Sequence, residues 1–246
     1  MKNLVTRLQG LEYLISIHAG RTGLSAFNVV NNVSGAFGIF RTSFVRQMGG
    51  WDSGSAEDLD LTMRINSYFG RDRRLRVVFE PKAIGHTDVP ETWLSLWQQR
   101  LRWDGDLVYI YLRKHLKSFS HNIMGWPAFI FRVWTGLMFT IFTPFLLVLY
   151  TAYLLVSVHL LQVAVLMFFL WVFYALVALV IYLFFLALVS ERPRYDLRYL
   201  PLIPFFGLYT LHLRLVAACA VLWNVIGRSH LDSSMAPWWV LRKGKF

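Results

Sequence analysis

A long uncharged stretch constrains this chain more than any other feature. No Asp, Glu, Lys or Arg occurs between Arg132 and Glu191. A helix that crosses a bilayer needs only about 20 consecutive apolar residues, so this stretch is long enough for two crossings. The chain is 56% hydrophobic with a mean hydropathy of +0.46, which is too apolar for an ordinary soluble domain. The sequence therefore predicts an integral membrane protein.

The membrane region is predicted to occupy residues 121–246, with two clear spans at 133–156 and 163–189. At 1.5 Å per residue each helix would be roughly 35–40 Å long, enough to cross with some tilt. The connector between them lacks Lys and Arg, whereas both flanks are basic. The positive-inside rule then places the flanks and the N-terminal region in the cytoplasm, and the protein in the cell (inner) membrane as a multi-pass protein.

A third apolar segment, 200–226, is ambiguous. Pro201 and Pro204 interrupt its start, and His212 and Arg214 lie near its middle. An arginine in mid-bilayer is costly unless it faces a polar cavity. The tail 228–246 is basic, which favours a bent interfacial or re-entrant element over a third span.

Residues 1–120 carry most of the acidic residues and are predicted to form a water-soluble unit. Gly49 and Gly50 would stop one short helix, and Pro81 would end a strand. The predicted elements are an amphipathic helix over 1–20, a loop and buried strand within 28–41, a helix over 42–48, a helix over 57–69, a strand over 76–80 and a long helix from Pro90 to about Leu116.

The net charge of +11 raises the possibility of nucleic-acid binding. We reject that interpretation because the basic residues flank the membrane segments rather than forming one soluble patch. The single cysteine, Cys219, excludes an intrachain disulfide.

Three clusters in the soluble part could carry chemistry. The first is Ser34–Arg41, SGAFGIFR, where Gly35 followed by Ala36 and Phe37 would let backbone approach a ligand. Taken alone, this segment is better explained as a tight entry into a buried strand.

The second cluster is Ser55–Asp60, SAEDLD. Asp58 beside Glu57 could act as a general base that takes a proton from a hydroxyl group. The alternative is a capping box in which Ser55 caps a helix and Asp58 completes the S-x-x-D pattern. Asp60 and Arg64 are spaced for an i,i+4 ion pair.

The third cluster is Gln99–Trp103, QRLRW. On a helix Gln99, Arg102 and Trp103 share one face, which offers an amide, a guanidinium fork suited to a diphosphate and an indole plate for a sugar ring. The alternative is an interfacial Trp and Arg beside the membrane.

Together, in this order and spacing, Ser34–Arg41, Glu57-Asp58 and the Q-x-x-R-W pattern resemble processive family 2 membrane glycosyltransferases. That family includes the synthases of cellulose, hyaluronan, chitin and poly-N-acetylglucosamine. The stretch Thr87–Thr92, TDVPET, is similar to the T-E-x-P-E-T of its bacterial exopolysaccharide branch.

The resemblance implies an α/β fold, a partial GT-A-like domain over 1–120, followed by transmembrane helices. It implies inverting transfer from a nucleotide-sugar, a UDP-sugar, to a polysaccharide acceptor. Asp58 would be the base with Glu57 in support, and Gln99, Arg102 and Trp103 would bind substrate together with Gly35, Ala36 and Phe37. It also implies Mg²⁺ or Mn²⁺, whose main ligands this chain lacks.

The sequence departs from the family at its front, where the nucleotide-binding sheet and its D-x-D motif are expected. Asp58-Leu59-Asp60 overlaps the E-D pair, and Asp104-Gly105-Asp106 follows the Trp within a helix. We therefore expect a C-terminal portion that needs a separate donor-binding half and is inactive alone. The alternatives are an inactive fragment or non-catalytic membrane subunit, and an enzyme that adds one sugar to a lipid carrier.

Overall fold

The computed structural model describes residues 3–51 and 56–227, so Ser55 and the basic tail lie outside the described residues. The described residues are mostly helical. The α-helices are α1 (Leu4–Glu12), α2 (Gly20–Ala26), α3 (Thr42–Gln47), α4 (Glu57–Asn66), α5 (Trp93–Tyr109), α6 (His121–Met124), α7 (Trp126–Arg132), α8 (Thr143–Ser157), α9 (Leu160–Leu188), α10 (Pro193–Asp196) and α11 (Ile203–Gly227). Three π-helical segments, Tyr13–Ala19, Ile110–Lys114 and Val133–Phe142, and two 3₁₀ segments, Leu116–Ser118 and Leu197–Leu202, join some of them.

The N-terminal helix is confirmed and is longer than predicted, because the segment Tyr13–Ala19 joins α1 to α2 without a break. Asn3 caps α1: its side chain accepts a hydrogen bond from the Thr6 amide at 2.9 Å. The apolar face of α1, with Leu8 and Leu11 buried, packs against α9 and α11. This helix therefore fastens the N-terminal region to the membrane helices.

The predicted strands at 76–80 and within 28–41 are wrong, because no β-strand occurs among residues 3–51 and 56–227. The segment at 76–80 is nevertheless tied down by side chains of an earlier loop and helix. Asn28 accepts a hydrogen bond from the Val77 amide at 3.0 Å and donates one to the Leu75 carbonyl at 3.0 Å, and Ser25 accepts from the Phe79 amide. Side chains thus satisfy backbone groups that a neighbouring strand would satisfy in a sheet. The α/β character expected from the resemblance is absent from the described residues.

The short helices around the second cluster are confirmed. α3 ends at Gln47, and Gly49 and Gly50 follow with φ of 83° and 73°, a backbone region that favours glycine. α4 begins at Glu57 and ends at Asn66, a little before the predicted limit.

The predicted long helix is α5 continued by Ile110–Lys114. Thr92 caps α5 through a reciprocal pair of contacts with Ser95. α5 runs along α11, and its buried Leu96 belongs to the same apolar core as α1.

The described residues contain three helical stretches long and apolar enough to cross a membrane: Trp126–Ser157, Leu160–Leu188 and Pro193–Ile226. The first contains the predicted span 133–156, and the second covers the predicted span 163–189 except for its last residue. In the third, Pro201 and Pro204 lie at its start, and α11 then continues through His212 and Arg214 without a break. Whether this third stretch crosses or lies at the interface stays a prediction.

Candidate active site

The structure brings the first two clusters together. The Gly35 amide donates a hydrogen bond to Asp58 Oδ2 at 3.0 Å, and Asn32 Nδ2 donates to the same oxygen at 3.2 Å. The Leu59 amide donates to Asp58 Oδ1 at 2.7 Å. The loop is fixed beside α4 by a further contact, in which the Val33 amide donates to Thr62 Oγ1 at 3.0 Å. Asp58 is thus a half-buried carboxylate held in one orientation.

Asp58 does not form the capping box that was the alternative to a catalytic role. α4 begins at Glu57, so Ala56 occupies the cap position, with φ of 50°, and makes no side-chain capping bond. Asp58 is then one position too early to complete the box. The physical reason is that the Asp58 carboxylate is already engaged by the loop at Gly35.

Gly35 leaves little room for a side chain at this close approach. A Cβ built on it would lie 3.3 Å from Glu57 Oε1 and 3.4 Å from Asp58 Cβ, tighter than ordinary van der Waals contact. Glu57, Gly35, Ala36 and Phe37 are all exposed. The Phe37 ring lies beside Gly85, which brings the segment before TDVPET to the same surface.

The Q-x-x-R-W motif lies on α5 as predicted, with Gln99, Arg102 and Trp103 on one face. Gln99 Oε1 is buried and has no hydrogen-bond partner among the described residues. Arg102 likewise makes no ion pair or hydrogen bond within 3–51 and 56–227. Trp103 is 40% exposed. These groups retain hydrogen-bonding and stacking capacity, which fits a role in binding a ligand.

Arg100, inside the same motif, has a structural role that the sequence did not show. Its Nη1 and Nη2 donate to the two oxygens of Glu12 at 2.9 and 2.8 Å, and the Tyr209 hydroxyl donates to Glu12 Oε2 at 2.6 Å. The guanidinium carbon lies 4.7 Å from the Trp103 ring centroid. Burial lowers the pKa of Arg100, but the charge of Glu12 outweighs it and the pKa is raised. Arg100 therefore joins α1, α5 and α11 and supports Trp103.

Asp104 stands directly after Trp103 and is perturbed by its surroundings. Burial raises the pKa of Asp104 to about 6, although the charges of Arg100 and Arg214 oppose the rise. The local pattern showed only Arg100, four residues earlier on the same helix, and gave no sign of the burial or of Arg214 and Glu12, which come from distant parts of the chain.

Asp60 is a second residue whose importance the sequence did not show. The predicted pair with Arg64 is confirmed at 3.0 Å. The fully buried carboxylate of Asp60 also accepts from His115 Nε2 at 2.7 Å and lies 3.0 Å from Lys114 Nζ. Arg64 in turn donates to the carbonyls of Met48 and Gly50.

The Asp60 group links the helix that carries Asp58 to the end of the segment that carries the Q-x-x-R-W motif. Burial alone would raise the pKa of Asp60, but hydrogen bonds from His115 and Lys114 and the charges of Lys114 and Arg64 lower it. Asp60 therefore stays ionised as the centre of an ion-pair network.

The third cluster makes no described hydrogen bond or ion pair with the group around Asp58. Within the described part of the chain, the motif helix is linked to α4 through Asp60, Lys114 and His115, whereas Arg102 and Trp103 make no described contact with Asp58. The two carboxylates of Asp58-Leu59-Asp60 do not act together on one ligand, because Asp58 binds the Gly35 amide while Asp60 binds His115.

The described residues do not fit the divalent metal that the resemblance implies. No group of three or more His, Cys, Asp or Glu side chains is placed to hold a metal ion within residues 3–51 and 56–227. No chemical step is therefore derived through a metal.

Comparison with known proteins gives the family. The profile of the glycosyl transferase family group 2 matches residues 2–190. The poly-beta-1,6-N-acetyl-D-glucosamine synthase of Staphylococcus epidermidis strain RP62A is 28% identical over 102 residues, and that of Staphylococcus aureus strain COL is 31% identical over 102 residues. Each match covers 41% of this chain and 24% of the relative. No solved structure matches the chain.

The match over 2–190 covers most of the chain, and the chain belongs to the glycosyl transferase family group 2. Its three long apolar helices make it a membrane protein. The chain is thus a membrane member of a glycosyltransferase family, with a held carboxylate at Asp58 and a partly exposed tryptophan at Trp103.

Proposed function

We propose that this chain is the acceptor-side and membrane portion of an inverting glycosyltransferase. It transfers sugar from a nucleotide-sugar, a UDP-sugar, to a growing polysaccharide of the exopolysaccharide type. The observation that carries the proposal is the contact of the Asp58 carboxylate with the exposed loop at Gly35. That contact puts a fixed carboxylate at a surface that a sugar hydroxyl can reach.

Asp58 has capacity for one more hydrogen bond. A carboxylate has about four acceptor sites, and the amides of Gly35 and Leu59 with the amide group of Asn32 occupy three. An acceptor hydroxyl can take the fourth and transfer its proton to Asp58 as its oxygen attacks the anomeric carbon. The new glycosidic C–O bond forms as the bond to the diphosphate breaks, and the diphosphate leaves with the electron pair. Glu57, adjacent and exposed, supports the same surface.

The face of α5 supplies the second part of the site. Trp103 stacks on the acceptor sugar, while Gln99 and Arg102 contact the acceptor or the departing diphosphate. Support comes from the unpartnered Gln99 Oε1 and the absence of a described partner for Arg102. Arg100 is excluded from this role because both of its terminal nitrogens are bound to Glu12.

The similar proteins suggest the first donor to test. Both relatives are named as poly-beta-1,6-N-acetyl-D-glucosamine synthases, so UDP-N-acetylglucosamine is the donor of choice. Membranes carrying the chain are incubated with the radiolabelled donor, with and without a co-expressed domain that contains a D-x-D motif. Products are then separated into polymer and organic-soluble glycolipid.

Label in high-molecular-weight polymer is expected in the arm that contains the co-expressed D-x-D domain, and little or none in the arm without it. Label confined to organic-soluble glycolipid would replace the proposal with single addition to a lipid carrier. No label from any UDP-sugar in either arm would contradict a catalytic role and favour a non-catalytic membrane subunit.

A further inference from the structure

A cavity lies at the opposite end of α4 from Asp58, where the first apolar stretch begins. Its volume is about 420 Å³, and it is bounded by the end of α2, the turn after α4 and the start of α7. Met124 and Ala128 form an apolar floor, and Phe27 and Trp126 line the sides. The cavity is thus largely apolar and is placed at the level where the first candidate span starts.

Two arginines give this cavity a positive rim. Arg73 and Arg76 line it and are exposed. Neither forms an ion pair, hydrogen bond or ring contact with any residue in the described ranges. Asp72 also lines the cavity, but its carboxylate accepts from Arg74 at 3.3 Å. The rim therefore offers two guanidinium groups with unused donors, which suit a phosphate group.

Arg71 and Arg74 lie in the same short run, but each has an interaction partner. The Arg71 guanidinium lies 5.7 Å from the Tyr68 ring centroid, and Arg74 pairs with Asp72. Neither Arg71 nor Arg74 lines the cavity. They provide a matched comparison for Arg73 and Arg76.

The cavity continues into an exposed apolar stripe. Trp126, Ile130 and Trp134 are 58%, 58% and 59% exposed and follow each other at intervals of four residues. On a helix this spacing places them along one face. His121 stacks on Trp126 at 4.4 Å between ring centroids, and tryptophan is typical of the membrane–water interface. A positive rim therefore leads directly to an apolar surface along the first span.

We propose that this cavity binds the anionic headgroup of a bilayer phospholipid, with Arg73 and Arg76 on the phosphate and an acyl chain along Trp126, Ile130 and Trp134. A free phosphate or phosphorylated sugar would satisfy the two guanidinium groups but would leave the apolar stripe uncovered. A lipid satisfies both parts of the surface. The site is separate from Asp58 and Trp103, so the proposal does not depend on the transferase activity.

The test measures the affinity of the detergent-purified full chain for a short-chain phosphatidylglycerol and for phosphatidylcholine of the same chain length, by native mass spectrometry. The variant is Arg73→Gln with Arg76→Gln, and its control is Arg71→Gln with Arg74→Gln, which removes the same charge. The cavity variant loses both charge-assisted contacts to the lipid phosphate, so it should bind phosphatidylglycerol about 30-fold more weakly. The control should change by less than about threefold, the spread expected from surface charge alone.

A second arm adds inorganic phosphate or glycerol phosphate at millimolar concentration, and neither should displace the lipid. The proposal is overturned if both double variants lose the same affinity, if the cavity variant loses none, or if the chain does not prefer phosphatidylglycerol. Displacement by inorganic phosphate would assign the rim to a free phosphate and contradict the lipid. Because Arg73 and Arg76 are exposed, both variants should keep the melting temperature of the parent. If the double variant does unfold, Arg76→Gln with Arg74→Gln as its control gives the same comparison.

Discussion

At the scale of single residues, the site depends on two side chains with unequal freedom. Asp58 is fixed by three hydrogen bonds, whereas Trp103 is held on one side by Arg100 and remains 40% exposed. A fixed carboxylate suits proton transfer, for which geometry matters most. A partly exposed indole suits the successive sugars of a growing chain.

Trp103→Ala should weaken acceptor engagement more than donor binding. The loss of one aromatic contact, about 0.5–1.5 kcal/mol, should raise the KM for an oligosaccharide acceptor by about 2- to 12-fold. Trp103→Phe should restore most of the affinity. Initial rates measured against acceptor and donor concentrations separate the two effects.

The control for this variant is Trp223→Ala, which removes an exposed tryptophan from α11. It should leave both KM values unchanged. An equal rise in the donor KM for Trp103→Ala, or no rise in the acceptor KM, would contradict the stacking role.

The local pattern led to the proposed site residues but not to the contacts that support them. Gln99, Arg102 and Trp103 could be predicted because they are close in sequence and share a helix face. Arg100 and Glu12 are 88 residues apart, and Asp60 and His115 are 55 residues apart. A local sequence pattern cannot predict contacts between residues so far apart in the chain. One usable signal was Glu12 itself, the one acidic residue of the first helix, Leu4–Glu12.

At the scale of elements, Asp60 determines how α4 meets the helix that carries the Q-x-x-R-W motif. Its carboxylate binds Arg64 within α4 and Lys114 and His115 beyond α5. These contacts fix the direction in which α4 presents Asp58. Long-range contacts also explain why the predicted strand at 76–80 is absent. The Asn28 side chain bonds the backbone groups of this segment that a neighbouring strand would otherwise bond.

Asp60→Ala should destabilise the protein strongly. It leaves three cationic or donor groups facing a buried site without a carboxylate, and breaking a buried pair in this way costs about 3–5 kcal/mol. Unfolding of the purified protein in mixed micelles measures the change. Asp72→Ala, which removes an exposed carboxylate, is the control and should have little effect.

The pH dependence has a defined sign. The pKa of Asp60 is lowered in the folded protein, so its contribution is present above its ordinary value of about 3.9 and is lost as the pH falls through the folded pKa. The difference between the parent and Asp60→Ala should therefore be full at neutral pH and shrink below about pH 4. A difference that is small at neutral pH would contradict the role of Asp60.

At the scale of the whole molecule, the N-terminal region and the membrane helices form one packed unit. α1 packs on α9 and α11, and the Glu12–Arg100–Tyr209 group joins α1, α5 and α11. The membrane helices were predictable from length and the absence of charge. Their packing against α1 and α5 was not predictable, because an apolar run does not indicate which face of the helix contacts which neighbouring helix.

The topology follows from the charges that flank the helices. In a Cys219→Ser background, Ser118→Cys and Arg194→Cys should be protected from a membrane-impermeant thiol reagent in intact cells, whereas His159→Cys should react. Basic flanks stay in the cytoplasm, and the connector at His159 carries no Lys or Arg. External labelling at position 118 or 194 would reverse the orientation.

The most direct test of the account is Asp58→Asn in the polymer assay, with the donor domain supplied where turnover requires it. Asparagine keeps the size and one acceptor oxygen for the Gly35 amide but cannot act as a base near neutral pH. General-base assistance is worth about 10²–10⁴-fold, so turnover should fall by that range. Membrane insertion should stay unchanged, and the melting temperature should fall only slightly, because the amide nitrogen cannot accept one of the hydrogen bonds that the carboxylate accepts. Glu80→Gln, which removes an exposed carboxylate bound only to the Lys82 amide among the described residues, should retain parental turnover. Turnover of Asp58→Asn within about threefold of the parent would contradict Asp58 as the base.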